Sequence, residues 1–384
     1  MKNLAIIVSH PIQYYAPLFA LIAKSEQINL HVFYTWGQAK EAVYDPGFGK
    51  NRSWDIPLLE GYSYTFLHNT AKEPGSHHFR GINNPSIIKE IDAFKPEIIL
   101  VIGWAFKSHL KVLRHYKNKA PIWFRGDSTL LDEQPNFSLK KLLRRVWLTW
   151  VYSHIDKALY VGQNNKAYYL QHGVKEQQSV FAPHAIDNKR FQQVDTIINF
   201  RQQLNIKESA FVFLFVGKFE TKKNPIILLK AFLQLQIPEI KLVFVGNGNL
   251  EEELQNFAKG LTTKVYFLPF QNQSAMPSVY RMANALVLPS QGPGETWGLA
   301  VNEALASGTP CIVSNKCGCA ADLICNGKNG YVFDSNNEAA LLIAMKNMVA
   351  KKEVIKAQMQ KNNIVNQYSF QSIIATIEQQ ANTL

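Results

Sequence analysis

Long apolar runs, cysteine and repeats are scarce in this chain, and each scarcity excludes something. No stretch of the 384 residues reaches the roughly 18 consecutive apolar positions that a membrane-spanning helix needs. The expectation is a soluble globular chain. The opening MKNLAIIVSHPIQYY has a short apolar stretch that runs into His10 and Pro11 and has no small-residue cleavage site. It does not form a signal-peptide core and reads as the first strand of a cytoplasmic protein. There are only four cysteines, Cys311, Cys317, Cys319 and Cys325, and no histidine stands near them to complete a tetrahedral zinc set. Reduced thiols packed near a core are expected. No internal repeat, low-complexity tract or nucleic-acid-binding motif is present.

What is present is apolar and basic. The hydrophobic fraction is 47% and the net charge +12. The charge is uneven, since residues 1–190 hold 24 Lys and Arg against 15 Asp and Glu. Such a surplus draws anionic lipid, phosphorylated substrates or nucleic acid, and charge alone does not choose among them. The length calls for two domains.

Apolar, β-branched runs alternate with helical stretches: LAIIVS (4–9), NLHVFYT (29–35), EIILVIG (97–103), PIWFRG (121–126) and KALYVG (157–162). A second series follows: FVFLFVG (211–217), IKLVFVG (240–246), KVYFLPF (264–270), NALVLPS (284–290), PCIVSN (310–315) and GYVFD (330–334). This alternation predicts two α/β domains, each a doubly wound parallel sheet. FAPHAIDNKRFQQVD (181–195) has no periodicity and is the linker. The expected boundaries are 1–190, 191–365, and a C-terminal helix over 366–384 packing back toward the first domain. Ligands of such sheets sit at the carboxyl ends of the strands, so two of them facing each other would make a cleft there.

Three strand-end stretches invite a phosphate. In VFVGNGNLEEEL, Gly246-x-Gly248 is half of a dinucleotide fingerprint, but Glu251 takes the third glycine's place and three acids open the helix. A tight strand-to-helix turn explains it as well. In FVGKFETKKNPIILL, Gly217 and Lys218 follow a strand and Lys223 precedes a helix at Pro225, so two ammonium groups can converge on one anion. In LPSQGPGETWGLAVNEALASGTP, Glu295 stands before a helix that starts near Trp297 or Gly298, whose free amides and dipole favour an anion. Glu303 lies about 8–10 Å further on at 1.5 Å per residue. That spacing fits a nucleoside diphosphate sugar, with carboxylates accepting from hydroxyls at either end and the diphosphate between. For Glu303 alone, an ordinary helix-pairing role fits equally.

At these residues the sequence resembles the retaining glycosyltransferases of the GT-B fold, family 4, known as glycosyl transferases group 1. The resemblance covers nearly the whole chain and is strongest over about 183–335. The pattern reads Pro289, Ser290, Glu295, Trp297, Gly298, Glu303, Ala304, Ala306, Gly308, Pro310. The family's Gly-Arg…Lys pair falls on Gly217-Lys218…Lys223, with lysine for arginine, which keeps the charge and loses the bidentate contact. His184 stands where Asn is more usual. The resemblance implies that Lys218 and Lys223 neutralise the donor diphosphate with the amides of Trp297 and Gly298 and the adjoining Thr296. Glu295 then binds the sugar and Glu303 the ribose. It further implies transfer with retention and without metal or cofactor, consistent with the absence of an Asp-x-Asp pair. The same fold also houses nucleotide-sugar 2-epimerases and phosphorylases, and a silent sugar-nucleotide-binding protein would share the site.

The first half departs from the family, having no glycine-rich loop after its first strand. His10 and Gln13 enter the cleft from SHPIQYYAPLF, or His10 merely caps the next helix. Trp104 and Arg80 are further cleft residues. Arg125 and Asp127 follow a strand and bind an acceptor, Asp127 as its base, or else form a local ion pair and cap. The helix in LKKLLRRVWLTWVYSHIDKAL groups Lys140, Lys141, Arg144 and Arg145 on one helical side, with Trp147 and Trp150 nearby. It lies on an anionic membrane at the inner face, meeting lipid-linked acceptors, or it is a domain helix with a solvated basic edge and its tryptophans in the core. The resulting expectation is a glycosyltransferase moving a sugar from a nucleotide donor to a glycan or lipid-linked acceptor in surface polysaccharide or glycoconjugate synthesis.

Overall fold

A computed structural model describes residues 1–37, 43–45, 50–52, 54–133, 138–193, 198–261, 264–361 and 364–384. The chain divides into two compact units: residues 1–43, 56–183 and 370–384, and residues 44–55 and 184–369.

Unit 1 is built on seven parallel strands, β1 (Lys2–Val8), β2 (Ile28–Tyr34), β5 (Ser63–Phe66), β6 (Ile98–Ile102), β7 (Ile122–Arg125), β8 (Lys157–Tyr160) and β9 (Ser179–Phe181), in the order β5-β2-β1-β6-β7-β8-β9. A separate two-stranded ribbon, which apart from Val43 belongs to unit 2, pairs β3 (Val43–Asp45) with β4 (Lys50–Arg52). The helices are α1 (Ala16–Ile22), α2 (Ile87–Phe94), α3 (Lys107–Tyr116), α4 (Leu139–Tyr152) and α5 (Gln163–Gln171). β1 is apolar on both faces because helices cover both, and Leu4 to Val8 are all buried. It lies between β2 and β6, with Ile7 in register with Phe33 and Val101.

Unit 2 has six parallel strands, β10 (Phe211–Val216), β11 (Ile240–Val245), β12 (Val265–Leu268), β13 (Ala285–Leu288), β14 (Cys311–Ser314) and β15 (Gly330–Phe333), in the order β12-β11-β10-β13-β14-β15. Its helices are α6 (Asn188–Gln192), α7 (Phe200–Gln203), α8 (Pro225–Leu233), α9 (Glu251–Phe257), α10 (Met276–Arg281), α11 (Leu299–Ala306), α12 (Ala320–Leu323), α13 (Glu338–Ala350), α14 (Lys352–Gln360) and α15 (Ile364–Gln367). The core under β10 and β11 is aromatic: Phe213, Phe215, Phe219 and Phe244 are almost wholly buried. All six strands expected from the second apolar series form, and each is followed by a helix or a loop at its carboxyl end.

The last helix, α16 (Phe370–Ala381), belongs to unit 1. Ser25 Oγ donates to Glu378 at 2.6 Å, Thr376 donates to the Phe181 carbonyl at 3.1 Å, and Lys157 reaches Gln380. Each unit therefore has the doubly wound architecture of one half of a GT-B protein. Among the described residues no helix is long and apolar enough to cross a membrane.

Candidate functional site

In unit 2 the strand order reverses between β10 and β13, and in such sheets ligands bind outside the carboxyl ends of the strands at that reversal. The loops leaving these two strands carry the residues singled out by the sequence. After β10 come Gly217 and Lys218, then the short 3-10 turn Thr221–Lys223, with Asn224 in the left-handed region and Pro225 opening α8. After β13 come Ser290, Gln291 and Glu295.

The two loops are laced together. Gln291 donates from its backbone to the Lys222 carbonyl at 2.9 Å and from its side chain to the Thr221 carbonyl at 2.7 Å. This brings Lys223 Nζ to 2.5 Å from Glu295 Oε2, with the two side chains only 18% and 7% exposed. Ser290 Oγ donates to the same carboxylate oxygen at 2.9 Å. Burial by itself disfavours the Lys223 ammonium, but the charge and hydrogen bond of Glu295 outweigh it, and the pKa rises above the ordinary lysine value. Behind the pair lies Cys317, its thiol pushed up to about 12 first by burial and then by the Glu295 charge. The sequence set Lys223 with Lys218 as counter-charge for a diphosphate; in the structure Lys223 is paired with Glu295, so the glutamate is both a candidate sugar ligand and the lysine's counter-ion. Lys218 sits half-buried at the start of the same loop.

The Gly246-x-Gly248 turn packs against this loop. A Cβ on Gly246 would lie 2.0 Å from the Gly217 carbonyl oxygen, and α9 opens with Glu251, Glu252 and Glu253 in its first turn. The glycines serve close backbone approach, and the acids suit the helix dipole.

Helix α11 begins after Gly298, whose φ of 97° and ψ of 61° are left-handed. A side chain there would also press within 3.0 Å of Leu288. The amides of Leu299 and Ala300 precede the first intrahelical bond and, with the dipole, form the anion-favouring end. Just before them Thr296 leads into Trp297, whose side chain is an anchor and does not face a ligand: it is buried, donates to Asn302 at 2.8 Å and stacks on Tyr368 at 5.8 Å. Asn302 in turn donates to the His184 carbonyl at 3.1 Å. Glu303, further along α11, is buried and accepts from the Tyr280 hydroxyl at 2.6 Å.

In unit 1 the reversal falls between β1 and β6. His10, just past β1, contacts Ser9 Oγ through Nδ1 at 2.9 Å and packs edge-on against Trp36 at 5.2 Å; burial lowers its pKa. Gln13 is part-buried in the turn leading into α1, and Trp104 packs on the core after β6. His109 joins the three strand ends here. Its Nδ1 donates to the Gly103 carbonyl at 2.7 Å, so Nε2 is the acceptor for Thr35 Oγ1 at 2.9 Å. Burial drives its pKa down to about 4. Arg125 was expected among the acceptor contacts, but it is buried and donates to the Ala182 and Pro183 carbonyls at 2.6 and 2.8 Å. Its charge is spent on the backbone. Asp127 is part-buried beyond Gly126. Gln291, Tyr280, Thr35 and His109 had no assigned role in the sequence reading, because each acts through a partner distant in the chain.

These sheets and sites define a two-unit α/β protein with an anion-favouring strand-end site in unit 2. Residues 196–366 match the family model described as Glycosyl transferases group 1. The chain is 28% identical over 195 residues to the lipopolysaccharide 1,2-N-acetylglucosaminetransferase of Salmonella typhimurium, covering 47% of this chain and 51% of that protein. It is 28% identical over 194 residues to the UDP-Gal:alpha-D-GlcNAc-diphosphoundecaprenol alpha-1,3-galactosyltransferase of Escherichia coli, covering 49% of each. The chain thus spans about half the length of these relatives. Its fold is similar over the full length of both chains to Anabaena Alr3699/HepE in complex with UDP and glucose, with a TM-score of 0.72 at 19% identity. Together these similarities show a GT-B fold and place the match to the group 1 glycosyltransferase model within unit 2.

Proposed function

We propose that the protein transfers a sugar from a nucleoside diphosphate sugar to a glycan or lipid-linked acceptor, as a retaining, metal-independent member of family 4. The observation that carries the reading is the buried Lys223–Glu295 pair at the β10/β13 reversal, 2.5 Å apart and one turn from the amino end of α11. The donor's diphosphate would take Lys218, Lys223 and the α11 amides as its counter-charge. Glu295 would accept from the sugar hydroxyls, and Glu303 from the ribose. The relatives' names support this substrate class, two of them being sugar transferases that build lipopolysaccharide or act on a diphosphoundecaprenol-linked sugar.

In the step itself the bond from the anomeric carbon to the diphosphate oxygen breaks, and the acceptor oxygen bonds to the same face of that carbon. The acceptor proton passes to the departing phosphate oxygen. Preorganised cations and amides aimed at a leaving group supply stabilisation of about 2.7–4 kcal/mol per donor removed. Acceptor contacts are assigned to the strand-end loops of unit 1, through His10, Gln13, Trp104 and Asp127. Asp127 is the alternative base to the departing phosphate oxygen. The working location is the cytoplasm, peripheral at the inner face of the membrane.

Calorimetric titration with UDP, GDP and dTDP, with and without EDTA, tests the donor site. One diphosphate should bind, unaffected by EDTA, and Lys223→Ala should weaken it at least tenfold. Binding that requires a divalent ion, or that ignores Lys223, would contradict the reading. NMR of the product's anomeric carbon decides retention.

A further inference from the structure

Helix α4 turns its apolar side outward. Leu139, Leu142, Leu143, Val146, Trp147 and Trp150 follow the i, i+3, i+4, i+7, i+8, i+11 spacing of one helical face, and all six are exposed, Leu143 and Val146 by 62% each and Trp147 by 45%. At 100° per residue they fill about 140° of arc. Leu148, Val151 and Tyr152, on the opposite side, are the residues that enter the core. The tryptophans are therefore not core residues, against one of the two readings of this helix. The four cations Lys140, Lys141, Arg144 and Arg145 do group on one side, opposite the apolar face. Acids are absent from the helix.

A second feature of unit 1 adjoins this face. Arg114 of α3 lies over the Trp150 ring at 5.8 Å, and the same Arg114 lines a cavity of about 1210 Å³. Lys72, His78, Arg80, Lys107 and Lys111 also line it, against a single acid, Glu73. Among the described residues Lys72, Arg80 and Lys107 form no ion pair.

We infer that unit 1 docks on an anionic lipid bilayer, with the exposed face of α4 entering the interface and the adjoining basic cavity receiving lipid phosphates. An exposed, tryptophan-bearing apolar face set opposite a basic, acid-free face is the pattern of a helix lying in a membrane interface, where aromatic rings sit at headgroup depth. The unpaired cations next to it supply the attraction to an anionic leaflet, which falls off within a Debye length. Arg80 takes its place in this cavity. The docking concerns unit 1 alone and holds whether or not the donor site turns over.

The test is co-sedimentation of the full chain with vesicles of phosphatidylcholine and phosphatidylglycerol at 3:1, and with phosphatidylcholine alone. Wild type should bind the anionic vesicles at least tenfold more tightly, and the advantage should collapse in high salt. The double variant Leu143→Glu, Trp147→Glu replaces only exposed side chains, so it should keep its circular dichroism and melting temperature while losing vesicle binding tenfold or more. Arg80→Glu with Lys107→Glu should weaken binding severalfold and flatten its salt dependence. Equal binding to both vesicle types, or undiminished binding by the α4 double variant, would overturn the inference. So would a wild type that ignores vesicles but forms a dimer dispersed by that variant, because the face would then be a protein interface. Undiminished binding by the cavity variant would overturn the phosphate assignment.

Discussion

Lys223 and Glu295 hold each other before any donor arrives, and their mutual dependence makes the two substitutions unequal. Lys223→Ala leaves a buried carboxylate without its counter-ion, a loss of about 3–5 kcal/mol in stability, and should cut kcat about 10²–10³-fold. Lys223→Arg restores charge and should recover stability before it recovers rate; thermal melts beside turnover separate the two. Because folding raises the Lys223 pKa, its stabilisation is complete below the unfolded value of about 10.4 and is lost as pH rises through the higher folded value. The stability gap between wild type and Lys223→Ala should accordingly be level from pH 7 to 9 and close only above about 10.4. The cysteines give a sharper check. Cys311, Cys317 and Cys319 are buried with raised pKa values, while Cys325 is exposed. Iodoacetamide at pH 8 should label one thiol per native chain, at Cys325, and four after denaturation; rapid native labelling of Cys317 would mean that the site is open to water.

At the scale of elements, the turn into α11 depends on Gly298. Its positive φ strains any side chain, and a Cβ there would come within 3.0 Å of the Leu288 side chain. Gly298→Ala should cost about 1–3 kcal/mol and misplace the Leu299 and Ala300 amides, so nucleoside diphosphate affinity should fall along with the melting temperature. A variant that melts earlier but binds normally would show that α11's amino end takes no part in the site. This element was readable in the sequence because its Gly, its two glutamates and its helical stretch are local in the chain. The strands of unit 2 were readable for the same reason, being continuous apolar runs, and β10, β11, β13 and β14 are buried on both faces. β5 and β9 were not, since SYTF and SVF are short and part-exposed and lack such a run. The outward face of α4 was half readable: the spacing is in the sequence, but periodicity does not say whether the stripe faces core or solvent.

The whole molecule carries a pH sensitivity that follows from its buried and part-buried histidines. His10, His31, His109 and His172 all have lowered pKa values, burial being the main cause, and that of His109 falls to about 4. A histidine kept neutral in the folded state binds fewer protons than the unfolded chain does below pH 6.5. For His109 stability is therefore lost as pH falls from about 6.5 toward 4, by about 1.4 kcal/mol per pH unit at most, and the other three add in the same direction. Urea midpoints should drop between pH 7 and 5, and His109→Gln should make the drop shallower; an unchanged slope would exclude His109 as a contributor. None of this was legible in the sequence, where His109 is one residue in a helix and its partners Thr35 and Gly103 lie on other elements. Arg125 misled for the same reason. Its place after a strand pointed to a ligand, and only the folded chain brings the Ala182 and Pro183 carbonyls to it.

The central claim is that the β10/β13 reversal of unit 2 binds and cleaves a nucleoside diphosphate sugar. The most direct measurement is release of nucleoside diphosphate from a panel of UDP-, GDP- and dTDP-sugars, by wild type and by Glu295→Ala with its fold checked by circular dichroism. Release from at least one donor by wild type, lost in Glu295→Ala, is the predicted result. Tight donor binding with no release from any sugar, or undiminished release by Glu295→Ala, would contradict it.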